Sequence, residues 1–135
     1  MLHIVEPWLA IYVNYIFYYI HVHKQLFLLV LLVVPDSPPV NVRGHNMSST
    51  SILVQWGSVP AENRNGIIIS YTVTYKDLPG GSTNSKVANA ATTQATLTGL
   101  KKYTNYSIAM FASTSKGDGN VSEPIVVMTG EDSRF

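Results

Sequence analysis

One stretch, TLTGLKKYTNYSIAMFA from Thr96 to Ala112, limits the fold more than any other part of the chain. It reads as the end of one strand, a tight corner and a long strand. Leu97 and Leu100 flank a turn at Gly99, and Tyr106, Ile108, Met110 and Ala112 then fall on alternate positions. Alternation places those four side chains on one face of an extended chain. Tyr106 stands just past the corner, where its ring can enter the core while its hydroxyl bonds to backbone upstream. That is the tyrosine corner of Greek-key β-sandwiches.

The rest of Pro35–Phe135 reads as strands packed around this one. Pro35-Asp36-Ser37-Pro38-Pro39 is stiff and extended, because proline fixes φ and restricts the residue before it. Val40 and Val42 begin a first strand, Gly44 marks a small-residue or bulge position, and His45–Ser49 reads as a turn. Ser51–Trp56 is a second strand with Ile52, Val54 and Trp56 on one face. After the loop Gly57–Gly66, Ile67–Tyr75 is a third, with Tyr71, Val73 and Tyr75 inward. Lys86–Asn89 is a short edge strand, and Thr93–Leu97 pairs before the corner. Ser113–Asn120 is a glycine-rich turn carrying Gly117 and Gly119, and Ile125, Val127 and Thr129 close the series. Seven short strands with turn signals at this spacing predict an all-β sandwich. Its expected core contains Trp56, Tyr71, Val73, Leu97, Leu100, Tyr106 and Ile108.

Residues 1–34 are different. Trp8–Ile20 is apolar except for Asn14, Leu26–Val34 is an unbroken apolar run, and the only formal charges are Glu6 and Lys24. Three readings stay open. The first is membrane insertion, as a signal-anchor or transmembrane segment, possible as a helix from about Tyr15 to Val34. Leu26–Val34 has the length of a signal-peptide core, but no small-residue cleavage site follows it. A span of ~20 residues sets a central Lys24, at about +3 kcal/mol, against apolar residues at roughly −0.3 to −0.6 each, which nearly balances. The second is a start-site artefact, since the composition changes abruptly at Pro35 to residues typical of a globular domain. The third is a helix packed on the domain, against which the lack of an amphipathic stripe argues. The expected division is therefore 1–34 as a hydrophobic segment, 35–130 as the domain and 131–135 as a linker or truncated tail.

Taken together, the motifs resemble a fibronectin type III domain from Pro35 to about Gly130. Pro39, Val42, Ser51, Val54 and Trp56 resemble its opening strands, and Gly66, Tyr71, Val73 and Tyr75 its third. TLTGL at 96–100, Thr104 and Tyr106 resemble its leucine turn and tyrosine corner. Ala112, Gly117, Gly119, Ser122, Pro124 and Thr129 resemble its closing hairpin. Lys102 departs from the pattern, standing where the family usually has proline. The resemblance implies an immunoglobulin-like Greek-key sandwich of three plus four strands, with no cofactor and no catalysis. It also implies a single repeat of a multi-repeat adhesion or receptor protein, or alternatively an intracellular structural repeat of the muscle-scaffold kind.

The remaining signals bear on function. The formal net charge is +1, which gives no pull toward nucleic acid, and the chain has no cysteine, which excludes a disulfide framework and a cysteine nucleophile. His45 is the only histidine from Pro35 onward, and a lone imidazole is neither a metal site nor a dyad. No G-x-S-x-G, Walker or G-x-G-x-x-G pattern occurs, so neither an enzyme nor a small-molecule site is expected here. Nor is there the W-S-x-W-S box of cytokine receptors. Lys116-Gly117-Asp118 is a candidate adhesion turn; the plainer reading gives its glycine to a tight turn and its charges to solvent. Lys101, Lys102 and Tyr103 read as a solvated corner or a small contact patch. Three N-x-S sequons occur, at Asn46, Asn105 and Asn120, with Asn46 and Asn120 placed in turns and Asn105 opposite Tyr106. With the apolar N-terminus they favour an extracellular or cell-membrane module whose partners are proteins, and a membrane through residues 1–34.

Overall fold

The computed structural model describes the backbone of residues 7–31 and 34–131, and side chains of 8–24 and 34–131. The chain forms two compact units, Met1–Leu32 and Val33–Phe135. In the first, α1 runs from Pro7 to Leu31. Proline suits the first helical position because its missing N–H has no intrahelical partner there. No glycine or further proline interrupts the run. Tyr15 stacks on Tyr19 and Tyr19 meets His23, both at helical i, i+4 spacing. Nearly every side chain from Trp8 to Lys24 is exposed. Among the described residues, no helix is long and apolar enough to cross a membrane. The span expected from Tyr15 to Val34 lies partly outside the described residues, as does the tail beyond Glu131.

The second unit is a two-sheet sandwich. Its strands are β1 (Val40–Ser48), β2 (Ser51–Gly57), β3 (Ser70–Asp77), β4 (Asn84–Asn89), β5 (Gln94–Leu97), β6 (Asn105–Thr114), β7 (Gly117–Asp118) and β8 (Ile125–Met128). One sheet has the order β1-β2-β5. In the other the order is β4-β3-β6-β7, with β8 also on β6, and all pairings are antiparallel. The count of three plus five, rather than three plus four, has a simple cause. β7 and β8 lie along the same side of β6 and act as one last strand, interrupted between Asp118 and Ile125. Ser122 bridges the gap: its N–H donates to the Met110 carbonyl at 2.8 Å, and its hydroxyl accepts from the Met110 N–H at 3.0 Å.

The core lies between the sheets and follows the alternation. Ile52, Val54 and Trp56 are buried from β2, Tyr71 and Val73 from β3, and Tyr106, Ile108, Met110 and Ala112 from β6; Val59 after β2 and Leu97 and Leu100 around the corner complete it. All seven expected core residues are buried. Trp56 meets Tyr71 with ring centroids 5.5 Å apart, a tilted aromatic pair.

Two local expectations are corrected, and of the two readings of Gly44 the small-residue one holds. The first strand continues through His45 and Asn46 to Ser48, and the turn falls at Ser49–Thr50. The continuous pairing of Arg43–Asn46 with Ile52–Gln55 overrides the polar composition that suggested a turn. Gly44 sits inside β1, where a Cβ would stand 3.1 Å from Val127 Cγ2 of the opposite sheet. The register irregularities of β1 lie instead between Val40 and Arg43, with Asn41 at φ 53°, and between Asn46 and Ser48. The third strand begins at Ser70, leaving Ile67 84% exposed and Ile69 52% exposed ahead of it.

Candidate functional site

The corner is built as the sequence implied. The Lys101 N–H donates to the Tyr106 hydroxyl at 2.8 Å, while the tyrosine ring is 5% exposed. Gly99 takes the left-handed φ of 68° that turns the chain between Leu97 and Leu100. Thr129, 1% exposed, ties the corner to the end of the last strand. Its hydroxyl donates to the Lys101 carbonyl at 2.7 Å and accepts from the Thr104 N–H at 2.9 Å. Lys101 is also held from the side, its ammonium 2.6 Å from the Asp77 carboxylate. The Lys101 hydrogen bond and charge hold the Asp77 carboxyl below the ordinary aspartate value, and the same contact raises Lys101. Lys101 is thus engaged within the corner, while Tyr103 is 63% exposed beside it at φ 48°.

Lys116-Gly117-Asp118 lies on a hairpin whose loop is only Ser115-Lys116, with Thr114 paired to Gly117 and Ser113 to Asp118. Lys116 stands at the tip, but Asp118 is turned back: its Oδ1 accepts from the Ser113 hydroxyl at 2.6 Å. The lysine and the carboxylate of the candidate adhesion turn therefore do not project together. A loop this short has no residues to lift both away from the sheet.

The three sequons differ. Asn46 is in β1 rather than a turn, and is exposed although it pairs with the buried Ile52. Asn105 is the first residue of β6, exposed and on the face opposite Tyr106. Asn120 follows β7 and is exposed, yet its side-chain amide donates to the Asp36 carbonyl at 2.7 Å.

That last contact belongs to a feature the sequence reading missed. Residues 34–36 are clamped by three asparagines. Asn65 Nδ2 donates to the Val34 carbonyl at 3.1 Å, and Asn63 Nδ2 to Asp36 Oδ1 at 2.8 Å. Asn120 closes the set, and the Asp36 N–H donates to the Asn63 carbonyl at 3.0 Å. Pro35 is buried below, and a Cβ on Gly119 would stand 2.6 Å from Pro35 Cβ. The available signal was three asparagines in loops beside a rigid Pro-Asp step. Nothing local in the sequence joins residues so far apart.

Chemistry beyond binding finds little to work with. His45 is exposed on β1. Among the described residues, no group of three or more His, Cys, Asp or Glu side chains converges as metal ligands. A surface groove of about 330 Å³ is lined by Ser58, Arg64, Ile67, Ile68 and Tyr71. Arg64 is its only charged side chain, and its guanidinium donates to the Val59 carbonyl at 2.8 Å.

With this geometry in hand, the comparisons are specific. The family model of the fibronectin type III domain matches residues 37–128. Over 101 residues, 73% of this chain, it is 39% identical to protein sidekick-1 of Gallus gallus. Over 103 residues, again 73%, it is 41% identical to cell adhesion molecule Dscam2 of Drosophila melanogaster. The chain spans about 5% of the length of each of these relatives. Among solved structures, the FN5 domain of Drosophila Lar is similar with a TM-score of 0.61 and 31% identity, covering 73% of this chain and 100% of that one.

Proposed function

The chain belongs to the fibronectin type III family, and from that premise we propose that it is a non-catalytic protein-protein interaction or spacer module of an extracellular adhesion or receptor protein. The observation that carries this reading is the kinship, at about two residues in five, to adhesion proteins such as sidekick-1 and Dscam2. The geometry supports it. The hydrogen-bonding groups of the corner and of the Val34–Asp36 clamp are spent on holding the sandwich, which suits a rigid spacer. Residues 35–130 are the working domain in this proposal. Residues 1–34 bring the chain to the membrane, supported by the exposed apolar side chains of α1 and by Lys24 as the only formal charge between Trp8 and Lys24. Protein partners, rather than nucleic acid or a small substrate, meet the sandwich surface.

The test is labelling of intact eukaryotic cells that express the full chain, using a membrane-impermeant, lysine-directed biotin reagent. Labelling without lysis is expected. Labelling only after lysis would place the domain on the cytoplasmic side and favour the intracellular structural repeat.

A further inference from the structure

The three sequons are equivalent as strings but not in the fold, and this difference assigns a modification site. A glycan acceptor needs the asparagine amide and the hydroxyl two residues on. At Asn120 both are already used by the fold. The amide donates to the Asp36 carbonyl at 2.7 Å within the clamp, and the Ser122 hydroxyl, on a residue 9% exposed, accepts from the Met110 N–H at 3.0 Å. At Asn46 the amide is exposed although its strand partner Ile52 is buried, and it is the serine of the sequon that the fold occupies. A Cβ on Gly130 would stand 3.6 Å from Asn46 Nδ2. The Ser48 hydroxyl is 2.7 Å from that of Ser51 and also accepts from the Thr50 N–H.

Asn105 has none of these ties. It is exposed, and Ser107 shares its outer face of β6. Among the described residues, no hydrogen bond engages the Asn105 amide or the Ser107 hydroxyl. Its cross-strand partner is Met128, 41% exposed, and Ser107 pairs with Val126, 60% exposed. A sugar on Asn105 therefore extends over the outer face of the sheet, beside an exposed apolar pair, without displacing any contact of the sandwich.

We propose that Asn105 is the N-glycosylation site of this domain, because the fold occupies Asn120 with its Ser122 and the Ser48 hydroxyl of the Asn46 sequon. The proposal rests on the extracellular reading above. In the transfer step, a lipid-linked oligosaccharide diphosphate is the donor. The bond from sugar C1 to the diphosphate oxygen breaks, a bond from C1 to Asn105 Nδ2 forms, an Nδ2 proton is released to a base, and the lipid diphosphate leaves. The glycan covers Met128 and Val126.

The experiment expresses the full chain in eukaryotic cells in two forms, as it stands and behind an added cleavable signal peptide. Site occupancy is read by glycosidase-sensitive mobility, and by mass spectrometry of the Asn-to-Asp conversion that enzymatic release leaves behind. The expected result is occupancy at Asn105. The mobility shift is lost in Asn105→Gln and in Ser107→Ala and kept in Asn46→Gln and Asn120→Gln. Occupancy confined to Asn46 or Asn120, or an unglycosylated chain behind the added signal peptide, overturns the proposal. If only the signal-peptide form is glycosylated, and at Asn105, the site stands while the reading of residues 1–34 as a membrane-targeting segment falls. Site occupancy in the unmutated chain decides the matter even where a variant folds poorly.

Discussion

Replacing Tyr106 with phenylalanine removes one oxygen from the corner and little else. The ring stays in place, 5% exposed and with its centroid 6.4 Å from that of Tyr75. What is lost is the acceptor for the Lys101 N–H, now 2.8 Å from the hydroxyl. A buried donor left without its partner costs ~1–3 kcal/mol. Lys101 is itself exposed, so water can partly replace the lost acceptor, and the lower half of that range, about 1–2 kcal/mol, applies. For a domain of this size ~4–8 °C in midpoint accompanies each kcal/mol, so a fall of roughly 4–16 °C is expected. The assay is thermal and urea unfolding of the full chain by circular dichroism, with Tyr75→Phe as control. Tyr75 is a half-buried neighbour whose hydroxyl has no hydrogen bond among the described residues, so its loss should change stability by less than about 0.5 kcal/mol. If the two variants melt together, the corner hydrogen bond is not what stabilises this turn, and the reasoning fails.

Other consequences follow from the same contacts. Trp56→Ala empties the largest buried ring and should cost ~3–5 kcal/mol of a total of ~5–15, leaving the domain nearly or fully unfolded in a urea titration. Trp56→Phe should be milder in that titration, because the buried indole nitrogen has no hydrogen-bond partner to lose among the described residues. Gly119→Ala drives a Cβ against the Pro35 backbone and should both destabilise the domain and speed proteolytic cleavage near residues 34–36. Asp77→Asn should lower the urea midpoint across neutral pH. Asp77 has a lowered folded value, so its contribution is present above the ordinary aspartate range and is lost as pH falls through that folded value. Lys101 is raised, so its share persists until pH climbs above the ordinary lysine range. The variant and the parent should therefore converge only in strong acid or strong base.

Much of this was legible in the residues alone, for a physical reason. Alternation has a period of two, so the inward faces of β2, β3 and β6 could be read directly, and the residues so assigned are buried apart from Tyr75, which is half-buried against the core. The corner could be read because Gly99, Leu100 and Tyr106 are close in sequence and need no distant partner to make sense. The strand ends were less legible. The polar stretch His45–Ser48 looks like a turn in isolation and becomes strand because β2 offers it hydrogen bonds, while Ile67–Ile69 looks like strand and is left ahead of β3.

The site was legible only as a set of strings. Three sequons and one Lys-Gly-Asp are equal candidates on paper. The sequence by itself determined the sandwich, its core and the corner, since these follow from local periodicity and turn chemistry. Only the tertiary structure decided that Asp118 folds back onto Ser113, that Asn120 closes a clamp on residues 34–36, and that Asn105 stands free on the outer face. Those outcomes depend on which strands and loops become neighbours, and that is settled by pairing across long stretches of chain rather than by any residue's immediate surroundings.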